Sequence, residues 1–516
     1  MSTIKSNTIL KSTLTLASGI IISRVTGFVR EIVLAAVYGV GTISDAFIIA
    51  FAIPDSLLIF IGASVAAGFI SMYHQVESKT LFTRNVMTCL CLLGILFSIV
   101  FSVFPNVLVR LFAFNIAPET FEYAVFFTRY MVWTAVFIFL IHIYGAYLEI
   151  EGAFFFPGIR LVWRNVMVIF SLILGLVYGY ILPVALSPVV GTAISLVVMS
   201  LVCRKRGFIY RPYLYVKSPD LKYMTTLIVP IVLASASNQI NLIITRNFAA
   251  SLPVGAISFL NYSHRVTGLF IALFGYALFT VLYPYMSKLA ADGDIQGLKR
   301  MLIQGVVRIT AIMLPICIGL IVLAESAVRI MFERGNFTPA DTINTAASLR
   351  MYAMFMLAGC LNPLLIRVFY AIHAAPIPAY LSIVSVAAGI GFNFLLIGRL
   401  GAEGLALSVS LSGLLLTLLL LGALRKKIGH LGLKIYLSEF MKIVLATVIM
   451  GIGVWIAAGA LPLRSISVWQ EVTFCTVLAV AAALVYYILL LLMKSKIAFD
   501  VAATAAKFLK RWRVRT

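Results

Sequence analysis

Val472-Thr473-Phe474-Cys475-Thr476-Val477-Leu478-Ala479-Val480-Ala481-Ala482-Ala483-Leu484-Val485-Tyr486-Tyr487-Ile488-Leu489-Leu490-Leu491-Leu492-Met493 runs for twenty-two residues without a charge. A helix crosses the hydrocarbon of a bilayer in about 20 apolar residues, so this stretch reads as one membrane span. Runs of the same kind recur back to Leu14, in a chain of 516 residues that is 62% hydrophobic and 11% charged. Soluble proteins are nearer half apolar and a quarter charged, so an ordinary globular enzyme is excluded. No stretch is left for a sizeable soluble domain. The six cysteines mostly lie inside apolar runs, which argues against a disulfide framework, and Cys89 with Cys91 is too small a set for a metal site. The fold class is an all-α polytopic membrane protein.

Over the whole chain, fourteen spans are expected near 14–38, 43–72, 86–112, 123–148, 165–182, 184–203, 224–250, 255–286, 302–324, 347–371, 376–398, 402–424, 440–461 and 471–493. The connections are short, and Pro157, Pro183, Pro253 and Gly401 punctuate them. The first run is expected to be retained rather than cleaved, because Arg24 and Arg30 stand where a signal peptide has its small-residue site. With a cytoplasmic N-terminus, 26 of the 40 basic residues fall in inside segments, 5 outside and 9 within spans. That asymmetry supports an even number of spans with both termini inside. The net charge of +22 is therefore mostly topological rather than a nucleic-acid surface. From Ser495 to Thr516 apolar and basic residues alternate, as in a helix lying on the inner leaflet.

Two decapeptides repeat. Ala35-Ala36-Val37-Tyr38-Gly39-Val40-Gly41-Thr42-Ile43-Ser44 closes the first span, and Ala249-Ala250-Ser251-Leu252-Pro253-Val254-Gly255-Ala256-Ile257-Ser258 closes the seventh. They share six identities at a constant offset of 214, and both come after an odd-numbered span. Transporters commonly build alternating access from two such halves. The expected organisation is a six-helix half over 1–220 ending in a basic cytoplasmic loop, and a second over 221–435. Two extra helices over 436–493 and a basic interfacial tail over 494–516 complete it.

Charge inside a span costs about 2.5–3.5 kcal/mol even on the lenient insertion scale. Nine basic residues are nevertheless assigned there, against the acids Glu31, Asp45 and Asp55. Surplus buried cations need an anion, and a substrate can supply it; the planar arginine fork suits phosphate oxygens. Arg308, Arg350 and Lys442 lie near span ends and are expected to snorkel. Arg129, Arg246 and Arg367 are open between snorkelling and a cavity role. Arg24, Arg30 and Arg265 lie further in and are expected to line a cavity. Arg24 and Glu31 share a helix face and can pair, whereas Arg30 points about 120° away and is left for another partner. Ser235, Ser237, Asn238, Gln239 and Asn241 either line the same cavity or join helices by hydrogen bonds. His264 reads as structural. With no Gly-rich phosphate loop, HExxH or nucleophile elbow, nothing points to an enzyme, and no cofactor or metal is expected.

Taken in order, several motifs resemble one family, the MurJ/MviN lipid II flippases of the multidrug/oligosaccharidyl-lipid/polysaccharide exporter superfamily. Ser23-Arg24-Val25-Thr26-Gly27-Phe28-Val29-Arg30-Glu31 is similar to the family's first-helix motif, with Ser44-Asp45-Ala46-Phe47 and Pro54 after it. Tyr262-Ser263-His264-Arg265 and Leu282-Tyr283-Pro284-Tyr285-Met286-Ser287-Lys288 resemble its eighth-helix region. Phe332-Glu333-Arg334-Gly335-Asn336-Phe337-Thr338 with Asp341 resembles an external segment, and Arg367-Val368-Phe369-Tyr370-Ala371 fits the tenth span. The sequence departs from the family at Leu58, where an arginine is expected, and at Glu31, where Asp is commoner. It also lacks the family's charged residues after Ala371.

The resemblance implies a flippase carrying an undecaprenyl-pyrophosphate-linked peptidoglycan precursor from inner to outer leaflet, with Arg24, Arg30, Arg265, Asp45 and Glu31 at the site. It places the protein in a bacterial inner membrane, with polyprenyl-pyrophosphate saccharide and bilayer as partners, cell-wall synthesis enzymes as candidates, and no nucleic acid. A Wzx-like translocase of another polyprenyl-linked oligosaccharide stays open as the alternative. A cation-coupled multidrug exporter fits less well, because it needs buried acids.

Overall fold

The computed structural model describes residues 2–430, 433–460, 467–496 and 498, and the side chains at 2–14, 60, 230, 231, 233–238, 276–281, 283, 284 and 433–436 lie outside that description. The interfacial tail expected over 494–516 is, from 499 onward, outside the described residues, and so is the side chain of Asn238. Among the described residues the chain is helical with no strand.

The first compact unit holds residues up to Arg265, with Arg334–Asp341 and Asn393–Leu405. Its helices are α1 (Ser2–Tyr38), α2 (Thr42–Pro54), α3 (Phe60–Tyr73), α4 (Lys79–Val103), α5 (Pro105–Phe112), α6 (Pro118–Met131) and α7 (Thr134–Ile150). They continue with α8 (Phe155–Ile159), α9 (Val162–Tyr178), α10 (Leu182–Lys205), α11 (Pro219–Ala250) and most of α12 (Ala256–Phe270). The second unit takes α13 (Tyr276–Ala291), α14 (Ile295–Val322), α15 (Ala324–Phe332), α16 (Pro339–Ala353), α17 (Phe355–Ala371), α18 (Pro376–Ile428), α19 (Leu433–Gly459) and α20 (Val468–Leu492), less the segments given to the first.

Local chemistry sets the ends. Pro105, Pro118, Pro219 and Pro376 open α5, α6, α11 and α18, where a missing N–H costs nothing. Gly39, at φ +60°, turns the chain out of α1, a conformation that a side chain would strain. Pro54 ends α2, and the run into α3 passes through a π-helical turn, Asp55–Ile59. A second π turn, Ile271–Gly275, joins α12 to α13.

Nine described helical runs are long and apolar enough to cross a bilayer, or ten if α6 and α7, bent by 48°, count as one span. As a straight rod the 53 residues of α18 would extend about 80 Å, far beyond a hydrocarbon core of about 30 Å. Gly401 (φ 54°, ψ −128°) breaks it into two arms. The runs α1, α11 and α12–α13 contain side chains outside the description and are not counted among the nine.

The core of the first unit gathers Leu58, Phe69, Met87, Ile138, Tyr144 and Leu148 from α3, α4, α7 and the first π turn. Leu58 is 2% exposed and sits in this apolar core. Arg164, expected from sequence among the inside connections, instead lies in the first turn of α9 and is buried. Where connections are short, span edges and loops stand within a residue or two of each other, and Arg164 falls on the helical side of that edge.

Candidate substrate cavity

A cavity of about 440 Å³ opens within the first unit. Arg24, Arg30 and Glu31 reach it from α1; Phe47, Phe51 and Ala52 from α2; Asp55 and Ser56 from the π turn. Gln239 and Arg246 enter from α11, and Asn261, His264 and Arg265 from α12. Four arginines therefore face two carboxylates.

The two acids are already engaged. Glu31 accepts from Arg30 Nη2, from Arg265 Nε at 3.2 Å and from Asn261 Nδ2 at 3.0 Å. Arg30 also donates to Asn165 Oδ1 at 3.1 Å, and its guanidinium lies over the Phe51 ring at 4.1 Å. Asn165 in turn points its amide at Ser23 O and Thr26 Oγ1, both 3.4 Å away, which ties α9 to α1. Asp55 binds Arg164 through both oxygens, at 2.5 and 3.0 Å. Arg246 donates to Ser56 Oγ at 3.2 Å.

This arrangement reverses the pairing expected from helix geometry. Glu31 holds its neighbour Arg30 rather than Arg24, because the long Arg30 side chain turns back between Phe51 and Asn165. Arg24 is exposed in the cavity and meets no carboxylate among the described residues. The structure brings Arg24, Arg30, Glu31, Arg265, Arg246 and Gln239 together. The remaining expected site residues lie elsewhere. Asp45 is buried and accepts from Gly255 N, Ser258 N and Ser258 Oγ at 2.7, 2.8 and 2.5 Å, so its carboxylate serves the first turn of α12. Arg129 is exposed on α6, outside the cavity wall, and Arg367 belongs to α17 in the second unit. Arg164 and Asn165 do not stand out in the sequence. A basic residue with an amide next to it at a span edge carries no signal of its own.

A site of this kind can hold a compact multiple anion, with charge-assisted hydrogen bonds from several guanidinium groups in a sheltered space. The fold is shared with solved membrane transporters. The chain is similar to a solved lipid II flippase MurJ in an inward closed conformation, with a TM-score of 0.78 at 22% identity over 92% of this chain and 99% of that one. A multidrug resistance MATE family transporter in its outward-facing conformation matches at 0.60, with 16% identity over 82% of this chain and 96% of that one. The sequence model of the lipid II flippase MurJ family matches residues 34–464, and the chain belongs to that family. Probable lipid II flippases of Rickettsia prowazekii and Vibrio cholerae are 28% and 29% identical to it. These alignments cover 78% and 80% of this chain and 82% of each relative. The protein is accordingly a multi-pass membrane protein of a transporter family.

Proposed function

We propose that this chain translocates lipid II, the undecaprenyl-pyrophosphate-linked peptidoglycan precursor, from the inner to the outer leaflet of a bacterial inner membrane. The observation that carries this reading is the cavity with four arginines, one of which meets no acid among the described residues, in a member of the MurJ family. A pyrophosphate would bring the missing negative charge to Arg24, Arg30, Arg246 and Arg265. A cavity for a cationic drug would need the opposite balance of charge.

The tail has a candidate place as well. In the second unit a groove of about 770 Å³ is lined by apolar residues including Ile316, Leu320, Ile330, Val454, Val480 and Ala483. An isoprenoid chain matches such a surface. The protein acts as a transporter rather than a catalyst, with fourteen spans and both termini in the cytoplasm. Two six-helix halves over 1–220 and 221–435 rock about an axis normal to the membrane, with two further helices over 436–493. Supporting the repeat, a π turn comes after each decapeptide in its second helix, the two turns starting at Asp55 and Ile271.

The test is depletion of the protein and then leaflet assignment of polyprenyl-linked intermediates. Lipid II should accumulate inside, with rescue by wild type and not by Arg24→Ala or Arg265→Ala. Normal lipid II export with another lipid-linked saccharide trapped inside would refute the assignment of substrate.

A further inference from the structure

The two ends of the Arg164–Asp55 ion pair are unequally placed. Arg164 is 5% exposed at its side chain and takes no part in the cavity wall, whereas Asp55 is 25% exposed and belongs to that wall. Both guanidinium prongs of Arg164 go to Asp55, and its Nε has no hydrogen-bond partner among the described residues. The Phe51 ring, one turn before Asp55, lies under Arg30 at 4.1 Å and under Arg164 at 4.6 Å. Ser56, the next residue, receives Arg246. A carboxylate of the cavity wall is thus held by an arginine outside that wall, while Arg246 meets the next residue and Arg30 shares the Phe51 ring with Arg164.

A carboxylate and a phosphate oxygen offer a guanidinium fork the same acceptor geometry. An anion entering this cavity competes with Asp55 for Arg30 and Arg246 unless Asp55 is engaged elsewhere. We propose that Arg164 is a positioning residue that keeps Asp55 out of this competition, and that Asp55 takes the place of the pyrophosphate on the cavity arginines as it leaves. The inference rests on the pyrophosphate reading of the cavity. Asp55 opens a π turn behind Pro54, and π turns concentrate at functional sites. A π turn that shifts along its helix re-aims each residue it passes by about 100°. The exchange lets the cavity release a tightly held anion without leaving its arginines bare.

The test uses the full chain in lipid nanodiscs titrated with undecaprenyl pyrophosphate, comparing wild type, Asp55→Asn, Arg164→Gln and the double variant. Freeing Asp55 by Arg164→Gln should weaken binding roughly tenfold, a change of about 1.4 kcal/mol. Asp55→Asn should tighten binding about twofold in the wild-type background and about tenfold in the Arg164→Gln background, bringing the double variant back near wild type. Arg164→Lys keeps a cation against Asp55 and should bind close to wild type. An Asp55→Asn effect of equal size in both backgrounds would overturn the proposal, since the carboxylate would then act only through its distant field. If Arg164→Gln does not fold, Asp55→Asn alone decides: tighter binding supports the exchange and weaker binding refutes it. No binding by wild type would defeat the pyrophosphate reading and this inference together, an outcome distinct from wild-type binding without coupling.

Discussion

The hydroxyls of Ser44 and Ser258 lie 3.0 Å apart, and the two residues are separated by the 214 positions that relate the two decapeptides. Equivalent residues of two repeats related by a two-fold axis meet only where that axis passes. The contact therefore supports an axis running beside the α1–α2 and α11–α12 turns. Asp45 has no acidic counterpart in the second copy, where Phe259 stands. Its carboxylate instead binds the second copy's own turn at Gly255 and Ser258.

Asp45→Asn should therefore act on stability. A carboxylate accepts from two backbone N–H groups and one hydroxyl here, whereas an amide offers one acceptor oxygen and sets an NH2 against a donor. The expected loss is about 1–3 kcal/mol. Thermal unfolding in detergent should show a fall of several degrees, and Ser258→Ala a smaller one. An unchanged midpoint for Asp45→Asn would refute this role.

The segment Arg334–Asp341 is fastened to the end of α1. Asn336 N donates to Ala36 O at 2.9 Å and its Nδ2 to Val37 O at 2.5 Å, while Gly335 adopts φ +61° with its α-carbon facing Ala36 O. Gly335→Ala adds a methyl where a backbone carbonyl already sits, besides the strain of about 1–2 kcal/mol for a side chain in that region. Limited proteolysis should cut this segment faster in Gly335→Ala than in wild type, with Asn336→Ala intermediate. Equal cutting rates would show that the fastening does not hold the segment.

Arg24 and Glu31 should separate binding from folding. Arg24 holds no acid among the described residues, so Arg24→Ala should weaken pyrophosphate binding at least tenfold and leave the unfolding midpoint unmoved. Glu31→Ala removes the anion between Arg30 and Arg265 and leaves the buried Arg30 cation facing the half-exposed Arg265 with no carboxylate between them. It should lower the midpoint as well, by an amount on the order of 3 kcal/mol. Matching losses of stability in both variants would contradict the division.

Ala483→Trp fills part of the groove in the second unit. Binding of undecaprenyl pyrophosphate should fall severalfold, while binding of inorganic pyrophosphate should not change. Equal losses for both would place the lesion somewhere other than a tail site.

Residue type and depth alone make much of the cavity legible. An arginine in an apolar run is conspicuous, and Arg24, Arg30, Arg246 and Arg265 do share one cavity. Partners are harder to read, because pairing depends on contacts between distant segments. Asp55 and Arg164 are 109 positions apart, and nothing in either neighbourhood announces the other. For Glu31 a seven-residue spacing predicts a face shared with Arg24, whereas the partner it takes is the adjacent residue, steered by an aromatic ring from α2 and an amide from α9. Asp45 reads as a site acid through the family resemblance of Ser44-Asp45-Ala46-Phe47. Its carboxylate binds the turn that opens α12.

Along α20 only 6% of the apolar stretch is buried within the protein, and the groove beside it is open along one side. An acyl chain lying there need not be enclosed, and whatever exceeds the groove trails among the surrounding lipids. The number of isoprene units on a carrier should then matter little to its selection. Discrimination would fall on the head group, so one such protein could serve carriers of several lengths with the same turnover.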